Sequence, residues 1–591
     1  MSVDIRRRLA AELASLVQGA GTDIERLLEI PPRPELGDFA LPCFALAPRL
    51  KKNPAQIAQE LARGIHAPAT GGDASGDPSG GGSRATAEGT PAIITGASAQ
   101  GPYLNLMVDK SLLIGEIVGQ VNASGFSELA DRGRGKTVLI DFSSPNIAKP
   151  FGIGHLRSTV IGNSLKRIYA FLGYRVVGIN HLGDWGTQFG KLITAFLKWG
   201  RPEALDRDPI GYLYELYVRY HREAEQDPAL DDEARAWFTR MEQGDPRALE
   251  LWRSFSELSL REFQRIYDRL GVSFEAFTGE SFYRDKLEQT LQEVERAGIT
   301  RRSEGALVVP AEEEGQPPVL LRKRDGSTLY ITRDLAAALY RHRTYRFNRA
   351  LYVVGSPQAL HFRQLFMVLK QMGLPWYREC HHVAFGQIRF KDGAMSTRRG
   401  NIVLLEEVLE RATSLARDII EEKNPSLQDK DRVAEAVGVG AVIFNDLKNY
   451  RIKDIMFDWD ELMNFNGETG VYLQYTHARM RSLLKKYTGA YGPPESRPGL
   501  RYQDDETIYA LAVQLNDFED TVSRAAEEFE PSVISRYLLE LAARFNAFYT
   551  THRVITDDPG LSLQRALVVS AVVRVLGKGL ELLGLNPVDE M

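Results

Sequence analysis

The stretch KTVLIDFSS (residues 136–144) constrains what this chain can fold into. It is a strand-length run of apolar and β-branched residues. Within seven residues it leads through Phe151-Gly152-Ile153-Gly154-His155 into a segment with Leu156, Val160, Leu165, Ile168 and Leu172 on one helical face. A buried strand that ends in glycines and the start of a helix leaves free amide groups where an anion can reach them. His155 adds a possible donor at the same place. Taken alone, the turn fits equally well a phosphate site and a tight turn that packs helix on sheet.

The rest of the chain extends this pattern. RVVGIN, ALYVVGS and VAFGQIRF read as further buried strands with helical stretches between them, which predicts a mostly parallel sheet with crossover helices. VLLRKRDGSTLYIT reads as a hairpin about Asp325-Gly326, with Tyr330–Arg333 in its second strand. From about residue 404 the pattern is wholly helical, with runs near 404–423, 431–448, 467–487, 505–528 and 531–553. At the other end, residues 1–64 read as helical around a loop, PPRPELGDFALP, and PAIITGASAQGPYLNLMVD reads as two short strands. Residues 66–91 are a Gly/Ser/Ala/Pro tract with almost nothing to bury, which predicts a disordered insertion.

Composition sets the outer bounds. A chain of 591 residues is too long for one hydrophobic core, so several domains are expected. No apolar run approaches the roughly 20 residues of a membrane span. The first residues read as an amphipathic helix rather than a signal peptide, so a cytoplasmic location is expected. The two cysteines, Cys43 and Cys380, lie far apart and suggest neither a disulfide framework nor a thiolate metal site. The net charge of −5 is no global signature of nucleic-acid binding, so any such partner must use local basic patches.

Several motifs occur together and in order. SSPNIAKPFGIGHLRSTVIGNSL resembles the His-x-Gly-His region of class I aminoacyl-tRNA synthetases, and its Ser-Pro-Asn approach resembles that of arginyl-tRNA synthetases. HLGDWGTQFGKL, LYITRDLAAAL, SPQALHFRQLF and MSTRRGN follow in that family's order. GETGVYLQYTHARMRSLL resembles its anticodon-binding helical domain, and GDFALPCFALA with KKNPAQIAQELA resembles its N-terminal domain, which contacts the tRNA elbow. The resemblance covers nearly the whole chain except 66–91. It implies a multidomain α/β protein with three parts. Residues 1–110 form an N-terminal α+β tRNA-binding domain. Residues 111–403 form a class I Rossmann-type catalytic domain with a helical insertion at about 200–300. Residues 404–591 form an all-α anticodon-binding domain.

The resemblance also implies the chemistry. L-Arginine is ligated to its tRNA through an arginyl-adenylate, with ATP as substrate, Mg²⁺ accompanying the ATP, no bound organic cofactor and no dedicated metal motif. A monomer is the family expectation. Because the substrate carboxylate is itself the nucleophile, catalysis reduces to positioning and charge stabilisation. Gly152, Gly154 and His155 would face the ATP phosphates, with His361 a further residue on the ATP side. The family usually has histidine where this chain has Gly152, and losing one such donor typically costs about 10²–10³-fold in rate. The mobile signature loop is degenerate: Ala394 and Thr397 stand at its lysine positions, beside Met395, Ser396, Arg398 and Arg399. Lys149 would compensate.

A guanidinium substrate calls for carboxylates and oriented acceptors. By resemblance these are Asp141 and Asp334, with Tyr330 against the guanidinium and Ser143, Asn146 and Gln358 around the amino-acid end. Asp334 reads equally as an N-cap of the helix DLAAALYR. Tyr472, Tyr475, His477, Arg479, Arg481, Lys485 and Lys486 combine rings and charge in a way that suits unstacked bases and phosphates. Two competing readings are a non-catalytic paralogue, motivated by Gly152 and the missing loop lysines, and a class I synthetase for another amino acid.

Overall fold

The computed structural model describes residues 5–14, 16–17, 24–66, 92–124, 126–147, 149–311, 315–389, 403–464, 467–495, 500–503 and 505–591. The 66–91 tract, apart from His66 at a helix end, and the Met395–Asn401 stretch lie outside them. The chain divides into two compact units, one built from residues 1–126, 484–519 and 543–575, the other from 127–483, 520–542 and 576–591.

In the first unit, strands β1 (Phe39–Pro42), β2 (Ile94–Gln100) and β3 (Tyr103–Val108) form an antiparallel sheet in the order β1-β3-β2. Helices α1 (Ile5–Ala14), α2 (Pro54–His66) and α3 (Lys110–Ser124) accompany it. The stretch read as a loop at 31–42 therefore contains a strand. All four residues of FALP are buried, and Pro42 at the strand end needs no ladder donor.

The second unit is organised on a parallel sheet of β4 (Thr137–Asp141), β5 (Arg175–Asn180), β6 (Ala276–Phe277), β10 (Arg349–Tyr352) and β11 (Cys380–His382), in the order β11-β10-β4-β5-β6. Val138–Asp141 of the run TVLID are buried because helices cover both faces of such a sheet. Helix α4 (Leu156–Phe171) follows β4. It packs so closely that a Cβ on Gly162 would lie 2.3 Å from the Phe142 side chain. Then come α5 (Thr187–Trp199), α6 (Pro209–Ala224), α7 (Ala229–Glu242) and α8 (Pro246–Leu270), followed by α9 (Leu287–Arg296). The core gathers Leu139, Val177, Ile179 and Ala350 with Leu335, Ala338 and Leu339 of helix α10 (Tyr330–Tyr345).

Two strand readings are corrected. Tyr330–Arg333 is the first turn of α10, not a strand. β9 (Val319–Arg322) pairs instead with β8 (Ala306–Val309), which also pairs with β7 (Arg301–Ser303). The Asp325-Gly326 turn is real, with Gly326 at φ +86, but after one bridge between Arg322 and Thr328 the chain turns into the helix. YITRDLAAAL carries apolar residues at both periods, and the alanines favour helix once the core is available. Among its described residues, VAFGQIRF supplies no strand of the parallel sheet. Its Ile388–Arg389 form β12, which pairs with β13 (Ile455–Met456) in a separate two-stranded ladder.

Beyond α11 (Ala359–Gln371), the C-terminal part is helical: α12 (Leu405–Lys423), α13 (Lys430–Leu447), α14 (Gly470–Tyr491), α15 (Glu506–Asn516), α16 (Phe518–Glu527), α17 (Ser532–Thr551) and α18 (Pro559–Leu583). The single run read at 505–528 is two helices divided at Asp517.

Candidate active site

The strand β4 ends at Asp141, and the chain then makes an unusual turn. Ser143 and Ser144 both have positive φ, +70 and +48, and the Ser144 amide donates to the Phe142 carbonyl at 3.0 Å. Two consecutive non-glycine residues in this region store strain that the surroundings must hold, a feature concentrated at functional sites. What holds them is visible. Ser143 is buried, its Oγ 2.8 Å from the Tyr267 hydroxyl and accepting from Thr159 Oγ1 at 2.8 Å; its amide donates to Ser158 Oγ at 2.9 Å.

Asp141 is occupied in the same way. Arg341 Nη1 donates to its Oδ2 at 2.7 Å, and Ser144 Oγ donates to Oδ1 at 3.0 Å. Asp141 and Arg341 are both buried. Asp141 and Ser143, expected in the arginine pocket, thus have their polar atoms engaged within the protein. Asn146 is exposed and bridges to Gly183, against which its side chain lies: a Cβ there would come 2.1 Å from Asn146 Oδ1.

The signature turn follows. Gly152 is extended, at φ −80, and forms an isolated bridge with Leu404. The Ile153 amide donates to the Val403 carbonyl, and the Leu405 amide to that of Phe151. Ile153–His155 form a 3₁₀ turn that runs into α4. Gly154 is exposed, whereas His155 is partly buried against the Phe151 ring, 5.1 Å between centroids. Its Nδ1 is buried without a hydrogen-bond partner among the described residues. Burial lowers the imidazole to about 4, with the charge of Lys149 acting in the same direction. The ring is therefore neutral at physiological pH. The Lys149 ammonium lies 5.4 Å from the centre of the Tyr217 ring on α6.

A second cluster forms around Asp334. This residue is the fifth of α10; Leu329 holds the N-cap position, so the N-cap reading is not what the fold uses. His361 Nε2 on α11 donates to Asp334 Oδ2 at 2.6 Å, and His181 Nε2 stands 3.7 Å from Oδ1. His361 thus meets the Asp334 carboxylate. His181 is fixed by its Nδ1, which donates to the Thr278 carbonyl at 2.9 Å. Burial alone would raise Asp334, but the His361 hydrogen bond and the His181, His361 and Arg341 charges outweigh it and hold the carboxyl below its ordinary value.

Two further acids belong to this neighbourhood. Glu280 pairs with Arg333 at 3.2 Å, and burial pushes it up to about 7; Arg333 opposes this while Asp334 and Asp184 add to it. Asp184 accepts from the amide and hydroxyl of Ser281, at 2.8 and 2.5 Å. Burial raises it, against those two hydrogen bonds. Glu280 carries no motif: it stands in a charged stretch, ESFYRDK, whose 3₁₀ turn after β6 points it here, so the sequence offered no signal for it. Tyr330 opens α10 and is 61% exposed, its ring 5.4 Å from the Arg333 guanidinium. Gln358, also exposed, ends the turn after β10. Trp185 is packing, enclosed by Trp252 and by the Arg284 guanidinium 3.7 Å from its ring centre. Among the described residues no group of three or more His, Cys, Asp or Glu is arranged to hold a metal ion, and no helix is long and apolar enough to cross a membrane.

On α14, Tyr472 and Tyr475 are half-buried, and Arg479 and Lys485 are exposed. The Arg479 guanidinium lies 5.0 Å from the Tyr475 ring centre. Arg481 pairs with Asp589 at 2.8 Å. His477 does not belong to this surface. It is buried, its Nδ1 donating to the Val588 carbonyl at 2.8 Å, because the helix face that carries it grips the C-terminal residues.

Comparison with known proteins accounts for this arrangement. Residues 120–459 match the model of the tRNA synthetases class I (R), catalytic domain; residues 473–591 match the DALR anticodon binding domain; residues 4–71 match the arginyl tRNA synthetase N terminal domain. Arginine–tRNA ligase of Halothermothrix orenii is 43% identical over the full length of both chains. That of Exiguobacterium sibiricum is 48% identical over 96% of each. Among solved structures, the Thermus thermophilus arginyl-tRNA synthetase superposes with a TM-score of 0.75 at 27% identity, covering 99% of this chain and all of the other. The sheet, the signature turn and the helical C-terminal part are thus those of a class I enzyme, and the chain belongs to the arginyl-tRNA synthetase family.

Proposed function

We infer that the chain ligates L-arginine to its cognate tRNA in two steps. The arginine carboxylate attacks the α-phosphorus of ATP and pyrophosphate leaves; the 2′-hydroxyl of the terminal ribose then attacks the acyl carbon and AMP leaves. The observation that carries this reading is the full-length similarity at 43–48% identity across all three family regions.

The acidic neighbourhood supports arginine as the substrate. Asp334 and Glu280 would receive the guanidinium, with Tyr330 against its face and Asn146 and Gln358 at the amino-acid end. Asp141 and Ser143 act from behind, holding the strained turn that carries Asn146. Gly152, Gly154 and the start of α4 offer backbone donors to the phosphates. His155, being neutral, serves there as a hydrogen-bonding group, and positive charge falls to Lys149. Magnesium arrives with the nucleotide, whose phosphates supply its oxygen ligands. Tyr472, Tyr475, Arg479, Arg481 and Lys485 would meet the anticodon stem and loop. On this reading residues 1–110, 111–403 and 404–591 divide the work between tRNA elbow, chemistry and anticodon, in a cytoplasmic monomer.

Gly152 favours one rival, a paralogue that binds tRNA without charging it. Arginine-dependent ATP–pyrophosphate exchange, run with and without cognate tRNA, separates the two. Exchange in the tRNA-containing reaction is expected. Its absence from folded protein that still binds the tRNA would replace this reading with the rival.

A further inference from the structure

Arg157 sits in the first turn of α4, two residues beyond His155, and is 1% exposed. Its Nε donates to Asp446 on α13, 3.1 Å from Oδ2 and 3.4 Å from Oδ1, and its Nη1 donates to the Lys453 carbonyl at 2.8 Å. The guanidinium lies 5.8 Å from the centre of the Phe385 ring. Asp446 is equally buried. Burial pushes its carboxyl up to about 6 even though Arg157 pulls it down. Removing two such ions from water is expensive, and well-packed apolar side chains join two helices at least as firmly. What an apolar pair does not supply is direction: a planar fork fixes the rotation of the residue that carries it.

The neighbouring residues fix the same turn from the other side. Ser158 Oγ donates to the Val353 carbonyl at 2.6 Å, and Thr159 Oγ1 lies 2.8 Å from both Ser143 Oγ and the His155 carbonyl. The sheet ends therefore hold one side of the first turn of α4, and Arg157 holds the other to α13 and to the segment leading into β13. That turn directly continues the Gly152–His155 segment, which carries the amide donors and the imidazole assigned above to the ATP phosphates.

We propose that Arg157 is a positioning residue for the nucleotide step: with Asp446 and the Lys453 carbonyl it sets the rotation of the first turn of α4, and so the aim of His155 and its neighbouring amides. This rests on the reading of His155 and the turn as the phosphate site. A misplacement of about 1 Å costs on the order of 10²-fold in rate.

The test compares wild type, Arg157→Lys and the double variant Arg157→Met/Asp446→Leu in arginine-dependent exchange, alongside thermal unfolding. The double variant removes both ions together, so folding is expected to survive with Tm near wild type while kcat falls about 10²-fold and KM for arginine stays unchanged. Arg157→Lys keeps the charge but cannot engage Asp446 and the carbonyl together, and a smaller fall in kcat is expected. Wild-type kcat in a folded double variant would overturn the proposal. Should the double variant not fold, wild-type kcat in folded Arg157→Lys would do so. Exchange absent from the wild type would instead remove the enzymatic reading, and this proposal with it.

Discussion

At the scale of single residues, the proposed chemistry turns on two positions. Gly152 stands where the family usually has histidine, beside an imidazole that burial keeps neutral. On the proposed function, the turn offers the phosphates one donor fewer than the family pattern implies. Restoring the donor with Gly152→His is expected to raise kcat for exchange, by up to about 10²-fold if the ring reaches the phosphate; an unchanged rate would mean that backbone or water already fills that role. Glu280 is the second, as a proposed partner of the guanidinium. Its carboxyl, raised to about 7 by burial and by the neighbouring acids, is largely protonated below that pH and ionised above it. A guanidinium is attracted only to the ionised form, so KM for arginine should fall as pH rises from 6 to 8. Glu280→Gln should remove most of that pH dependence and raise KM about 10–100-fold, as expected for losing a charge-assisted hydrogen bond. Measuring exchange against arginine concentration across this range checks both statements.

At the scale of elements, the site depends on how tightly α4 is set on β4. Gly162 faces Phe142, leaving no room for a methyl group. Gly162→Ala should therefore destabilise the fold by about 1–3 kcal/mol through overpacking, read as a lower denaturation midpoint with an unchanged slope. Exchange activity should fall along with it, because the displaced helix continues the turn proposed to face the phosphates. The same scale explains why Tyr330–Arg333 is helical although its pattern also fits a strand. TVLID and RVVGIN are continuous apolar runs, which a parallel sheet requires, and they were legible. YITRDLAAAL satisfies both periods, so its state was settled by Leu335, Ala338 and Leu339 finding a place in the core.

At the scale of the whole molecule, one compact unit is assembled from three distant stretches, 1–126, 484–519 and 543–575. Within it α3 lies against the region of α15: a Cβ on Gly115 would meet the Leu500 carbonyl at 2.5 Å, Phe126 and Phe518 pack with ring centres 5.2 Å apart, and Lys110 pairs with Glu506. Deleting residues 1–126, which removes α3, should therefore bare the side of α15 and of Phe518 that it covers. Hydrogen exchange over 506–516 is expected to accelerate in the truncated chain, whereas an unchanged rate would mean that the helices are stable alone. The parallel α/β region, the helical C-terminal part, the glycine turn between strand and helix and the family were readable from the residues alone, because hydrophobic period, glycine placement and ordered motifs are local properties of the chain. Only the tertiary structure decided that Asp141 is held by Arg341, that His361 meets Asp334, that Glu280 joins them, and that Arg157 is buried against Asp446. Those pairings span 27 to 289 residues. A carboxylate's charge shows in the sequence, but its partner is chosen by which elements the core brings together.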